Sequence, residues 1–287
     1  MILVTGVTGQ LGFATINELN KHVPSNGIAG LARSHNDKTN DLSGRGIDIR
    51  FGSYNDYDSL VSAFQGIDKL LFISSGEAFA DFTLHENVIK AAQAAKVKQV
   101  IYTSTQRSTA IDENRLSEDL HGWTEYALKK SALNYVILRN APYMESIPQI
   151  LGQDVLESGY HAPVGDGKIS FATRSDMALA TANVLCSEGH DFKTYDLGGS
   201  ESVSFGAIID ELSKVTGKDI PFSSPETDDY IKSLADASFP DVAVQALVGF
   251  ASQVKSGYFD KPSNDLAGLL DRNPVSVSEF LKQTFAA

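Results

Sequence analysis

Cysteine is all but missing from this chain: Cys186 is the only one in 287 residues. No disulfide can form within the molecule, which suits a reducing compartment. Cys186 follows the apolar, helix-like stretch Met177-Ala178-Leu179-Ala180 to Val184-Leu185, so a buried structural thiol is expected rather than a nucleophile. Cations are also short. Lys and Arg number 24 against 36 Asp and Glu, a formal net charge of −12. A chain of that sign repels phosphate backbones and anionic lipid, which argues against nucleic-acid and membrane partners. No apolar run approaches the roughly 20 residues that span a bilayer. Met1-Ile2-Leu3-Val4-Thr5 reads as a core strand from its first residue and shows no leader pattern, so the cytoplasm is the expected compartment. Metal-ligand spacing is lacking too: His22, His35, His85, His161 and His190 fall into no ligand register with carboxylates or the cysteine. Internal repeats and low-complexity tracts are not seen.

What is there is an alternation of strand and helix patterns. Strands are expected at 2–5, 28–32, 47–51, 69–74, 99–104 and 135–139, and helices at 11–21, 56–65, 84–95 and 118–132. Most of the strands are continuous apolar runs, as when helices cover both faces of a parallel sheet. The alternation fails after Asn140. A strand-like 168–173, a helix at 176–187 and a strand at 194–197 follow, then a helical tail broken by Pro221, Pro225, Pro240, Pro262 and Pro274. The expected fold class is α/β: a Rossmann doubly wound parallel sheet with a smaller, discontinuous C-terminal substrate domain. The sheet domain takes 1–140 with 174–199 returning to it, and the substrate domain takes 141–173 and 200–287.

Strand, glycine-rich turn and helix occur in the order a dinucleotide site requires. In Gly6-Val7-Thr8-Gly9-Gln10-Leu11-Gly12, Gly6 permits the tight turn and Gly9 lets the backbone approach a pyrophosphate. Gly12 lets the first helix pack against the sheet, and the helix N-terminus offers N–H groups to the phosphates. The end of the second strand distinguishes NAD from NADP. An NAD site places a carboxylate there for the ribose 2′-OH. This chain has Leu31-Ala32-Arg33-Ser34, a guanidinium suited to a 2′-phosphate with a hydroxyl beside it. The alternative for Arg33 is a solvated surface arginine; Lys38 could add charge there, with simple exposure the expected reading. The expected cofactor is NADP(H).

Several stretches together carry a family resemblance. They are Val4-Thr5-Gly6 through Leu11-Gly12, Lys69-Leu70-Leu71-Phe72-Ile73-Ser74-Ser75, His85-Glu86-Asn87-Val88, Tyr102-Thr103-Ser104, Thr124-Glu125-Tyr126-Ala127, Leu138-Arg139-Asn140, Gly165-Asp166-Gly167 and Ala172-Thr173-Arg174. The chain resembles the NmrA-like branch of the atypical short-chain dehydrogenases/reductases, near members that reduce quinones and triphenylmethane dyes. The resemblance runs over nearly the whole chain and is weakest in 105–116 and beyond Pro221. It implies that Gly6, Thr8, Gly9, Gln10 and Leu11 hold the pyrophosphate and Arg33 the 2′-phosphate. Ser74 and Ser75 would lie beside the ribose. Asn140, Ala141, Pro142 and Tyr143 would border the nicotinamide, with Arg174 facing the cleft.

Tyr126 and Lys130 match the Tyr-x-x-x-Lys pattern of catalytic short-chain dehydrogenases, and residues four apart share a helix face. The resemblance puts the pattern out of register. Glu125 is the glutamate that follows the active lysine by four residues in relatives with a working motif, so His121 stands at the lysine position and Ser117 at the tyrosine position. No catalytic residue is assigned. His121 and Tyr143 are the candidates nearest the nicotinamide, and His121 reads equally as a structurally hydrogen-bonded histidine. A site without the tyrosine acid suits acceptors that delocalise an incoming hydride, since a ketone depends far more on a proton donor. The expected activity is NADPH-dependent reduction of quinones or similar electron-poor conjugated small molecules. The alternative is an NADP(H)-binding redox-sensing regulator without turnover. A sugar-nucleotide or isoflavone-type reductase or epimerase fits less well, because it wants a working acid. A homodimer is compatible with all of these.

Overall fold

The computed structural model describes residues 1–79 and 81–286. Among these, seven strands make one parallel sheet: β1 (Ile2–Val4), β2 (Ile28–Ala32), β3 (Asp48–Phe51), β4 (Lys69–Ile73), β5 (Gln99–Thr105), β6 (Asn134–Asn140) and, after the two-residue strands β7 (Tyr160–His161) and β8 (Lys168–Ile169), β9 (Thr194–Leu197). Their order is β3-β2-β1-β4-β5-β6-β9, and every pairing is parallel. The chain winds outward from β1 in one direction and from β4 in the other. The crevice at the carboxyl ends of β1 and β4 is therefore the topological switch point, where open α/β sheets bind ligands.

Both faces of the sheet are buried, and successive side chains divide between them. Ile2, Val4, Leu71 and Ile101 join one core with α1 (Gln10–Leu19) and α8 (Arg174–Cys186). Leu3, Leu70, Phe72, Val100 and Tyr102 join the other, with α3 (Tyr57–Ala63), α4 (Thr83–Ala94) and α5 (Leu120–Lys130). This two-sided burial explains the unbroken apolar runs. One sheet-domain helix escapes the periodicity. It is α2 (Asp37–Gly44), almost wholly polar, which rests on Leu42 and Thr39 and on a capping box between Asn36 and Thr39.

A separate core gathers Met144, Ile147, Ile169, Phe171, Phe205, Ile208, Val254, Phe259 and Leu281. Its elements are the short α6 (Ile147–Leu151) and α7 (Val155–Ser158), then α9 (Phe205–Thr216), α10 (Thr227–Asp236), α11 (Asp241–Lys255) and α13 (Val277–Phe285). Two small ladders bind it together: β10 (Val203–Ser204) pairs with β8, and β11 (Phe222–Ser223) with β7. The strand expected over 168–173 is thus cut to Lys168–Ile169. Between α11 and α13 the chain crosses back. Leu266 and Leu270 of α12 (Asp265–Leu270), within the expected substrate-domain segment 200–287, pack into the sheet-side core. The crossing is fastened by polar bonds. The Asp265 carboxylate accepts from the Asp196 N–H at 2.9 Å, and the fully buried Asp176 carboxylate accepts from Arg272 at 2.6 Å and from the Val275 N–H at 2.8 Å.

Cys186 corrects its expectation. It is exposed, because Val184 and Leu185 take the inward positions at the end of α8 and the last residue turns to solvent. Among the described residues, no helix is long and apolar enough to cross a membrane.

Asp176→Ala removes the acceptor for a buried N–H and for Arg272. It should cost roughly 3 kcal/mol, lowering the thermal midpoint by about 6–12 °C in a chain of this size. Arg272→Ala should cost much less, since that guanidinium is half-exposed. Equal effects in thermal melts would contradict the assignment of Asp176 as the fastening.

Candidate active site

The turn from β1 into α1 is built around backbone proximity. Gly6 has φ +59°, and a Cβ at Gly12 would lie 2.4 Å from the Gly6 carbonyl oxygen, so a side chain there would force helix and turn apart. Helices α2, α3, α5, α8 and α9 are capped by the side chains of Asn36, Asp56, Asp119, Thr173 and Ser204. Helix α1 starts after Gly9 with no side-chain cap. The N–H groups of its first turn, at Gln10, Leu11 and Gly12, have no partner within the helix, and they carry the positive end of its dipole. That is the donor set of a phosphate site.

This turn opens on a cavity of about 420 Å³, into which the structure brings Gly6, Thr8, Gly9, Arg33, Ser34, Ser74 and Ser75. Arg33 does not stand free there: its Nη1 donates to Glu77 Oε1 at 2.8 Å. Lys38 is not simply exposed. Its Nζ donates to the Thr8 carbonyl at 2.8 Å and lies 5.3 Å from the Phe13 ring centre. The remaining expected residues gather two strands away, past the end of β6. There Arg174 stacks on the Tyr143 ring at 4.5 Å and lies 3.7 Å from the Glu145 carboxylate. The Ala141 N–H donates to Leu197, and the Pro142 carbonyl accepts from Ala172. Among the described residues, Asn140 Oδ1 and Gln106 Oε1 are buried acceptors with no hydrogen-bond partner. A nicotinamide carboxamide offers N–H donors of the kind these oxygens lack, so the residues present fit a dinucleotide lying from the first cavity to the β6 end.

The β4 tip is held from below by a residue that sequence reasoning passed over. The Ser75 N–H donates to His85 Nε2 at 3.2 Å, so the ring proton lies on Nδ1, which meets Thr124 Oγ1 at 2.9 Å. Thr124 in turn donates to the Leu120 carbonyl. Burial pushes the His85 pKa down to about 3, and the ring stays neutral. The Ser74 N–H is held by Thr103 Oγ1 at 3.0 Å. The only sequence signal for His85 is its place in the His85-Glu86-Asn87-Val88 stretch.

A second cavity, of about 540 Å³, begins at Thr105 on the β5 tip. It is walled by Arg107, Thr109 and His121 and, from the second core, by Gln253, Tyr258 and Phe259. The Ser108 N–H donates to the Tyr258 carbonyl and Gln106 Nε2 to the Lys261 carbonyl, stitching this loop to the C-terminal unit. Arg107 is buried and pairs with Asp119, the cap of α5. A Cβ at Gly122 would lie 2.4 Å from that carboxylate, so the first turn of α5 needs its glycine. His121 Nδ1 meets the Tyr102 hydroxyl at 2.8 Å. Burial, with Arg107 nearby, lowers the His121 pKa to about 4. Tyr126 and Lys130 line neither cavity; the lysine sits 5.4 Å over the tyrosine ring. Ser117 is exposed on the 3₁₀ turn Glu113–Glu118, and Tyr143 also lines neither cavity.

A family model described as the NmrA-like family matches residues 1–281. The chain is 36% identical to quinone oxidoreductase 2 of Escherichia coli (strain K12), over 99% of each sequence. The solved structure of the NADPH-dependent quinone oxidoreductase from Escherichia coli, complexed with NADPH, superposes at a TM-score of 0.90 with 34% identity, covering 99% of this chain and 100% of that one. The triphenylmethane reductase of Citrobacter sp., complexed with NADP(H), superposes at 0.89 with 33% identity over 99% of each chain.

The buried histidines predict a pH dependence of stability. In an unfolded chain histidine takes up a proton below about pH 6.5, while folded His85 and His121 resist protonation to about 3 and about 4. The unfolded state therefore binds more protons in that window, and the stability present above pH 6.5 is lost as pH falls toward 4, by up to about 1.4 kcal/mol per pH unit for each ring. Thermal midpoints measured from pH 7 to pH 4 should fall less steeply in His85→Gln than in the parent. Parallel curves would show that His85 titrates normally.

Proposed function

The chain belongs to the NmrA-like family, and from that premise we propose that it is an NADPH-dependent oxidoreductase that reduces quinones or similar electron-poor conjugated acceptors. The observation that carries this reading is a cavity at the glycine turn together with a second cavity at the β5 tip, neither of which is lined by Tyr126 or Lys130. A relative of the same length and fold is named for quinone reduction and is complexed with NADPH, and another, a triphenylmethane reductase, is complexed with NADP(H).

The chain's own residues have distinct tasks in this reading. Gly6, Thr8, Gly9, Gln10 and Leu11 hold the pyrophosphate by backbone N–H groups and close approach. Arg33 takes the 2′-phosphate, and Ser74 and Ser75 border the ribose from a strand tip that His85 keeps rigid. Asn140, Ala141, Pro142, Tyr143 and Arg174 shape the nicotinamide end. NADPH supplies the hydride. The acceptor lies in the second cavity against Tyr258, Phe259 and His121, where orientation and exclusion of water do most of the work. A quinone gains the hydride, spreads the charge over its ring and oxygens, and takes its proton from solvent. A simple ketone would build a localised alkoxide, which this wall does little to stabilise. Both cavities are built from one chain, so the chemistry proceeds in a monomer or a homodimer. The setting we propose is the cytoplasm, with its reducing dinucleotide pool.

Loss of reduced-nicotinamide absorbance should accompany small quinones and fail with simple ketones. Efficient ketone reduction would overturn the proposal. Tight NADPH binding with no quinone turnover would instead favour a redox-sensing regulator. Tyr126→Phe should lower quinone turnover by less than about 10-fold, whereas a proton donor's loss costs about 100-fold or more. Arg33→Ala should weaken NADPH about 10-fold in a direct binding titration, with little change for NADH.

A further inference from the structure

We propose that Glu77 sets the dinucleotide preference of this site by competing with the cofactor's 2′-phosphate for Arg33. This rests on the reading of the first cavity as a dinucleotide site.

The geometry is that of a latch across a cleft. Arg33 follows β2 and Glu77 lies in the 3₁₀ turn Gly76–Phe79 after β4, and in the sheet these strands flank β1 on opposite sides. The pair, at 2.8 Å, therefore bridges the cavity mouth on either side of the glycine turn that leaves β1. Among the residues lining that cavity, Arg33 is the one cation and Glu77 the one carboxylate. The carboxylate oxygen sits within hydrogen-bond distance of the guanidinium nitrogen that a phosphate oxygen would otherwise take. Glu77 thus occupies a donor that an entering phosphate would use.

The two cofactors meet this latch differently. NADH brings a 2′-hydroxyl, and the pair can remain closed because no charge has to be accommodated. NADPH brings a phosphate carrying close to two negative charges, whose oxygens need the guanidinium donor that Glu77 holds. Binding NADPH therefore requires Glu77 to leave Arg33. Both side chains are largely exposed, at 71% and 67%, so the latch biases the choice without blocking either cofactor. The acid missing from the β2 tip is in effect supplied from the neighbouring side of the cleft, on a turn where it can move aside. Specificity then depends in part on which acid, Glu77 or the phosphate, holds the Arg33 guanidinium.

The test is direct binding, read by the fluorescence of Trp123, the only tryptophan. NADPH and NADH are titrated into the parent protein, Glu77→Gln, Glu77→Asp, Arg33→Ala and the Arg33→Ala/Glu77→Gln double variant. Glu77→Gln should tighten NADPH by about two- to five-fold and leave NADH nearly unchanged. Glu77→Asp keeps the charge but is one methylene short, and should behave like Glu77→Gln. In the Arg33→Ala background the substitution should have no effect on the NADPH:NADH ratio. An unchanged ratio in Glu77→Gln, with NADPH still bound, would overturn the competition. So would an equal gain without Arg33, or a Glu77→Asp that matches the parent, since either points to general charge repulsion. Failure of the parent to bind either dinucleotide would remove the proposed function itself, and the competition with it.

Discussion

Glu125 on α5 carries its charge where water does not reach, and Arg139 of β6 and Ser104 of β5 satisfy its oxygens. Arg139 donates from Nε and Nη2 at 2.9 and 2.7 Å, Ser104 Oγ donates at 2.6 Å, and Arg107 stands 3.7 Å away. Burial alone would raise the carboxyl's pKa, but the hydrogen bonds from Arg139 and Ser104 outweigh it and hold the group ionised. Ser104 and Arg139 are register partners across the β5–β6 ladder, so one side chain ties two strands and the helix above them. Such a network adds little net stability over an apolar core of equal volume, yet removing one partner is costly. Here its effect is positional, because it fixes the rotation of α5.

Once that rotation is set, the chemistry along the helix follows. One turn before Glu125, His121 meets Tyr102 and reaches the second cavity. Thr124, its immediate neighbour, faces the sheet and holds His85 beneath the β4 tip. Tyr126 and Lys130 are carried away from both cavities. The helix that this carboxylate fixes thus reaches the first cavity's rim through Thr124 and His85 and the second cavity through His121. Both histidines are kept neutral by burial. At neutral pH they act as hydrogen-bonding groups rather than as charges, which suits a pocket for uncharged conjugated acceptors.

The two cavities divide along the edge of the sheet. The first lies at the tips of β1 to β4 and belongs to the sheet domain alone. The second begins at β5 and is closed by loop 106–119 and by Gln253, Tyr258 and Phe259. The long crossing of α12 onto the sheet core, pinned by Asp176 and Asp265, keeps the two ends in a constant relation.

Much of this was legible in the chain itself. The apolar runs of β1, β4 and β5 imply burial on both faces. Gly6, Gly9 and Gly12 announce a phosphate-binding turn, with the positive φ at Gly6 and the close backbone at Gly12 calling for glycine most strictly. Arg33 with no acid beside it at the β2 tip is visible in the sequence, and the position of Glu125 relative to Leu138-Arg139-Asn140 leads to the expectation that Tyr126 is out of register. These are local properties, carried by spacing and side-chain type. Other features were not legible. Helix α2 has no apolar stripe and depends on a cap; the outward turn of Cys186 depends on where α8 ends. The pairing of Arg33 with Glu77, the grip of His85 on Ser75 and the return of Leu266 and Leu270 to the sheet core join residues far apart in the chain. No periodicity records such contacts. They arise only when the sheet order places β4 beside β1 and the carboxylate of Glu125 locks α5, because strand order and helix rotation are settled by the packing of the whole core rather than by any one segment.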